Sequence, residues 1–164
     1  MCTKLCALAL WIIAVILILW LVFTPKTVSY VAPLPEPNQE QEATQLNTRL
    51  REFLESKQSP LVPDTEFILE LKHWKLLIAV SAIESQYCKR QLGYNCWGIG
   101  GDEHYRYYSS FRTAAVDTND LIEDWQKKGK WLTVEAMNCS YVVPCSENWV
   151  RVVNQNLKVL NELK

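Results

Sequence analysis

A mainly α-helical fold preceded by a membrane anchor is what this sequence predicts, and three observations predict it. Residues 5–23, LCALALWIIAVILILWLVF, contain neither charge nor proline. A proline-containing polar stretch follows. Beyond it, apolar side chains recur mainly at helical spacing, and only one glycine- and aromatic-rich segment breaks the pattern. The organisation read from this is an anchor over residues 1–23, a linker over 24–44 and one compact domain over 45–164, with room for a small β-hairpin.

The anchor rests on length. At 1.5 Å per helical residue, residues 5–23 cover about 30 Å, the hydrocarbon thickness of a bilayer. A cleaved signal peptide is the competing reading, but the apolar run is longer than a usual signal core, and Thr24-Pro25-Lys26 offers no small-x-small cleavage site. Cys2 and Cys6 lie at the start of the run rather than after it, which does not suit a lipoprotein signal. Lys4 and Lys26 flank the run on opposite sides and leave orientation open. The remaining cysteines decide it: Cys88 with Cys96 and Cys139 with Cys145 form two close pairs, as short disulfide loops in an oxidising compartment would. A four-cysteine zinc site would show tighter knuckles. The expected topology is a single-pass protein with a cytoplasmic N-terminus and an extracytoplasmic C-terminal domain.

Pro33, Pro35 and Pro37, followed by an acidic, glutamine-rich run, favour an extended spacer that reaches roughly 60 Å at about 3.1 Å per residue. Four helical stretches come next. Residues 44–57 carry Leu46, Leu50, Phe53 and Leu54 at helical spacing. After Asp64, a candidate N-cap, one long helical pattern runs through FILELKHWKLLIAVSAIESQYC, apolar on nearly every side between residues 74 and 83, as a buried helix is. Residues 113–128 place Ala114, Leu121, Ile122 and Trp125 on one face. Ser146 caps a last helix with a stripe of Trp149, Val153, Leu157 and Leu160. Between residues 93 and 110, GYNCWGIGGDEHYRYYSS is too irregular for a helix and suits a short hairpin.

Charge excludes one class of partner. Seventeen basic and 18 acidic residues give a net charge of -1 without a basic stripe, so nucleic acid is not an expected ligand. No metal or organic cofactor is implied. Chemistry is expected at Glu84, which ends the buried run AVSAI and begins the polar SQYCKRQ. Desolvation and the negative end of a helix both raise a carboxyl's pKa, keeping a proton available as a general acid for glycoside cleavage. The plain alternative is a glutamate at the exposed end of a core helix.

AIESQYCKRQLGYNCWGIGG resembles the active-site segment of the lysozyme-like superfamily, in particular cell-wall glucosaminidases and lytic transglycosylases. The matching residues are Glu84-Ser85 and Tyr94-Asn95-Cys96-Trp97-Gly98, followed by YYSSF at 107–111 and Tyr141 before the final helix. The resemblance covers about residues 60–163. It implies a lysozyme-like α domain, Glu84 as the catalytic acid, and Ser85, Asn95, Trp97, Gly98 and Tyr141 along a glycan cleft. The implied partner is peptidoglycan or a related amino-sugar glycan, cleaved at β-1,4 bonds.

Each residue has a simpler role to weigh. Trp97 offers a flat ring for a sugar, yet core packing accounts for most tryptophans. The glycines would serve any tight loop, and Tyr141 would equally pack against the last helix. Asn138-Cys139-Ser140 matches a glycosylation acceptor. A second acid has no obvious position; Asp102, Glu103, Asp117 and Asp120 are the candidates. Two other functions stay open: an inactive glycan-binding or scaffold module of an envelope-spanning complex, and a structural protein whose domain binds another protein.

Overall fold

The computed structural model describes residues 39–100 and 104–163. Among the described residues six α-helices follow in order: α1 (Gln39–Ser56), α2 (Thr65–Leu69), α3 (Trp74–Ser85), α4 (Phe111–Lys127), α5 (Val134–Met137) and α6 (Glu147–Asn161), with a 3-10 turn at Val62–Asp64 between α1 and α2. Among the described residues no helix is long and apolar enough to cross a membrane. The expected anchor at residues 5–23 lies outside them, as does most of the linker.

The core is built around α3. Leu77, Ile78, Ala79, Val80 and Ser81 are all buried, so this helix is covered on every side, as its unbroken apolar run predicts. Its main partner is α6, which turns Trp149, Val153 and Leu160 inward while Leu157 is half-buried. Burying each such side chain contributes roughly 1.5–3 kcal/mol. Ser146 starts α6 as expected, its Oγ accepting from the Trp149 backbone N–H at 3.2 Å. Leu50 and Leu54 of α1 are buried, and Phe53 meets the Tyr87 ring edge-on at 5.8 Å. Ser110 caps α4 through the Thr113 N–H at 3.2 Å and so starts it two residues before the expected 113.

Four expectations are corrected. Helix α1 begins at Gln39, five residues before the expected 44, so the acidic run at the end of the linker is helical; Glu40 and Glu42 in its first turn suit the positive helix end. The single long helix after Asp64 is two, α2 and α3, interrupted around residues 70–73. Nothing local breaks it. The buried Asn119 of α4 accepts the His73 backbone N–H at 3.1 Å, a tertiary bond that reaches the chain where α3 starts. Asp64 does not cap by its side chain; it accepts instead from Arg112 Nε at 2.6 Å.

The fourth correction concerns the hairpin. Among the described residues there is no β-strand, only isolated bridges at Leu92–Asn95 and Asn138–Val142. The segment does fold back on itself, with Tyr108 N–H donating to the Gly93 carbonyl at 2.8 Å and Arg106 N–H to the Ile99 carbonyl at 3.1 Å. The Asn95 side chain takes the place of a ladder. Its Nδ2 donates to the carbonyls of Ile99 (2.8 Å) and Arg106 (3.0 Å), and its Oδ1 accepts from Ile99 N–H at 3.0 Å. Both disulfides are formed as expected, Cys88–Cys96 and Cys139–Cys145.

Candidate active site

Glu84 stands in the last turn of α3, and the chain beyond it turns in an unusual way. Gln86, Tyr87 and Cys88 have φ of 53, 57 and 67°, three consecutive left-handed residues without a glycine. Such residues cost about 1–2 kcal/mol each. The cost is offset by bonds that only this turn permits: Tyr87 N–H to the Ser81 carbonyl at 2.9 Å, Arg90 N–H to the Ser85 carbonyl at 2.9 Å and Cys88 N–H to Ser85 Oγ at 3.0 Å. Ser85 Oγ in turn donates to the Cys96 carbonyl at 2.7 Å. Helix end and following loop are thus fastened together at one hydroxyl and one disulfide.

That fastening brings residues 95–98 under Glu84. Trp97 is only 1% exposed, and its Nε1–H donates to the Leu77 carbonyl at 2.9 Å, pinning the loop to the body of α3. Gly98 follows with φ of 65°, and a Cβ there would stand 3.3 Å from Glu84 Oε2. Glycine therefore meets two demands: a left-handed backbone, and space beside the carboxyl. On the other side, the Trp149 Nε1–H of α6 donates to Glu84 Oε1 at 2.6 Å. Tyr141 completes the surround. Its hydroxyl donates to the Trp97 carbonyl, and its ring leans on Trp149 with centroids 5.5 Å apart.

Glu84 remains open to solvent. Protein nevertheless crowds it from α6 and from the 97–98 loop, so partial burial raises its pKa above the ordinary glutamate range, while the bond from Trp149 works in the opposite sense. Burial pushes the Tyr141 phenol well above its usual range, with the nearby Glu84 and Tyr108 adding to the effect. Tyr141 is therefore a donor at neutral pH. Tyr108 is pushed up to about 12, first by burial and then by its 2.6 Å bond to Asp117 Oδ2.

The residues expected along the cleft divide into two groups. Glu84, Gly98 and Tyr141 come together around one carboxyl. Ser85, Asn95 and Trp97 are buried beneath it, and their side chains hold the loop rather than offer a face to solvent. Of the candidate second acids, Asp117 is tied to Arg106 Nη1 at 2.6 Å as well as to Tyr108. Asp120 accepts from Asn119 at 3.3 Å, and Asp102 and Glu103 lie outside the described residues. Asn138 Oδ1 is engaged by Ser146 N–H at 2.9 Å. Trp149 is the site residue that sequence reasoning missed. Its helical spacing marks it as core, and nothing in that spacing says where its one polar edge points.

A cavity of about 580 Å³ opens at the other end of α3, lined by Lys72–Leu76, residues of α5 and the C-terminal half of α6, and it does not include Glu84. A scan against protein-family models finds no match for this chain, and searches of curated proteins and of solved structures find none either.

Proposed function

We propose that this protein is a membrane-anchored enzyme that cleaves peptidoglycan at β-1,4 bonds between amino sugars, with Glu84 as the general acid. One observation carries the reading: a solvent-reachable carboxyl at the end of a core helix, bonded to Trp149 and flanked by Gly98, whose partial burial favours the protonated form. Glu84 gives its proton to the glycosidic oxygen as the bond to C1 breaks and the bonding electron pair leaves with that oxygen. The carbocation-like sugar is then captured by water, or by a hydroxyl of the same sugar, and the attacking group returns its proton to the carboxylate. Asp117, committed to an arginine and a tyrosine, is poorly placed to serve as a free base.

The test is incubation of the full-length chain in detergent with purified peptidoglycan, followed by mass spectrometry of the soluble fragments. Soluble fragments are expected, and anhydro ends among them would indicate capture from within the sugar. Reducing ends would instead indicate hydrolysis and a second acid still to be identified. Glu84→Gln keeps the shape and the Trp149 bond but has no proton to give, and turnover should fall at least about a hundredfold. Glycan binding by the native chain without any cleavage would favour the scaffold-module reading.

A further inference from the structure

We propose that Trp149 is a positioning residue that decides which oxygen of Glu84 carries the proton. The inference rests on the reading of Glu84 as an acid but is drawn from a different observation, the 2.6 Å bond from an indole N–H to Oε1. An indole nitrogen donates and cannot accept. While that bond stands, Oε1 is an acceptor, and because the carbonyl oxygen of a protonated carboxyl accepts better than its hydroxyl oxygen, the bond favours the proton on Oε2. Oε2 is the atom that faces Gly98, where the missing side chain leaves room for a substrate oxygen.

The donor is itself held. Trp149 is only 3% exposed. Its backbone N–H is taken by the Ser146 cap, and its ring is braced by Tyr141, whose hydroxyl is anchored on the Trp97 carbonyl. Tyr141 therefore steadies both edges of the carboxyl: one through the Trp149 ring, the other through the peptide that leads into Gly98. The ionisable group nearest Glu84 is the Tyr141 phenol from the loop after α5, neutral near pH 7, and Tyr108 from the loop before α4 acts on Tyr141 rather than on Glu84. No lysine, arginine or second carboxylate among the described residues adds to its field. Proton placement is left to one neutral donor.

The experiment uses the full chain in detergent micelles with ¹⁵N-labelled tryptophan, whose seven indole signals are assigned with the help of Trp149→Phe. As pH rises, the Trp149 indole proton should move downfield with a midpoint above the ordinary glutamate range, because an ionised acceptor strengthens the bond. In Glu84→Gln the same signal should stay in place. A Trp149 signal that ignores pH in the native chain, or that titrates unchanged in Glu84→Gln, overturns the inference whether or not the protein cleaves glycan. A clean titration without turnover would sustain it and sink the enzymatic reading alone.

With turnover in hand, Trp149→Phe adds a second test. Losing a donor to the carboxylate raises the Glu84 pKa, so the alkaline limb of the pH–rate profile should move up by about one unit. Turnover at the optimum should drop about tenfold, as the proton is no longer confined to Oε2. A uniform loss with an unmoved limb would mean that Trp149 merely packs.

Discussion

The α3–α6 pair and the loop residues 86–100 and 104–108 meet at Glu84, yet they are held by different physics. The helix pair is held by area: a run of apolar residues on α3 and a stripe on α6 exclude water from one another, and no single contact is indispensable in kind. The loop buries fewer side chains, Trp97 and Ile99 among them, and is held largely by individual bonds, including three from Asn95, one from Trp97, one from Ser85 and a disulfide. Periodic burial gives a rigid support, and specific bonding shapes the irregular surface on which a carboxyl can be presented. A helix alone would leave Glu84 without the Trp149 donor on Oε1 and without the Gly98 turn beside Oε2.

Breaking each half should therefore look different. The largest effect is expected from Leu77→Ala in the fully buried centre of α3, a loss of about 2–5 kcal/mol from transfer and cavity terms, spread over the whole domain. Thermal unfolding should show one transition moved to lower temperature. A shift under a degree would mean that the support is not built as described.

Asn95→Ala comes next. It removes the side-chain partners of the Ile99 N–H and the Arg106 carbonyl, each costing about 1–3 kcal/mol where water cannot reach, while the Ile99 carbonyl keeps the Arg106 N–H. Here the damage should be local: hydrogen exchange should quicken at Ile99, Arg106 and Tyr108 while the amides of α3 and α6 keep their protection. Uniform loosening of both regions would erase the distinction between them.

The smallest effect falls where the two regions join. The folded-state pKa of Glu84 is raised above its unfolded value, so its contribution to stability is fully present below the unfolded pKa and is lost as pH rises through the folded one. Glu84→Gln, which cannot ionise, should therefore give a small rise in Tm at neutral pH that disappears in acid below the ordinary glutamate range. Equal melting of both proteins at every pH would show that the carboxyl is not held at any cost.

Much of the support was legible from the residues alone. The all-round apolar run forecasts a buried α3, the spacing of Trp149, Val153 and Leu160 forecasts the inner face of α6, and Ser146 forecasts its start, because periodicity and capping are local properties of a chain. Close spacing likewise forecast both cysteine pairs, since a short loop closes at little entropic cost. Glu84 was legible as the polar end of an apolar helix.

Its surroundings were not. The break before α3 depends on Asn119, 46 residues away; the bond to Oε1 comes from Trp149, 65 residues away; the brace on the Trp97 carbonyl comes from Tyr141, 44 residues away. Asn95 and Trp97 looked like cleft residues and proved to be the fastenings beneath it. A side chain's polar edge has no periodicity. Where it points is settled only when distant elements pack, and so the sequence by itself determined the helices and the carboxyl, while the tertiary structure decided which atoms hold that carboxyl and which face it leaves open.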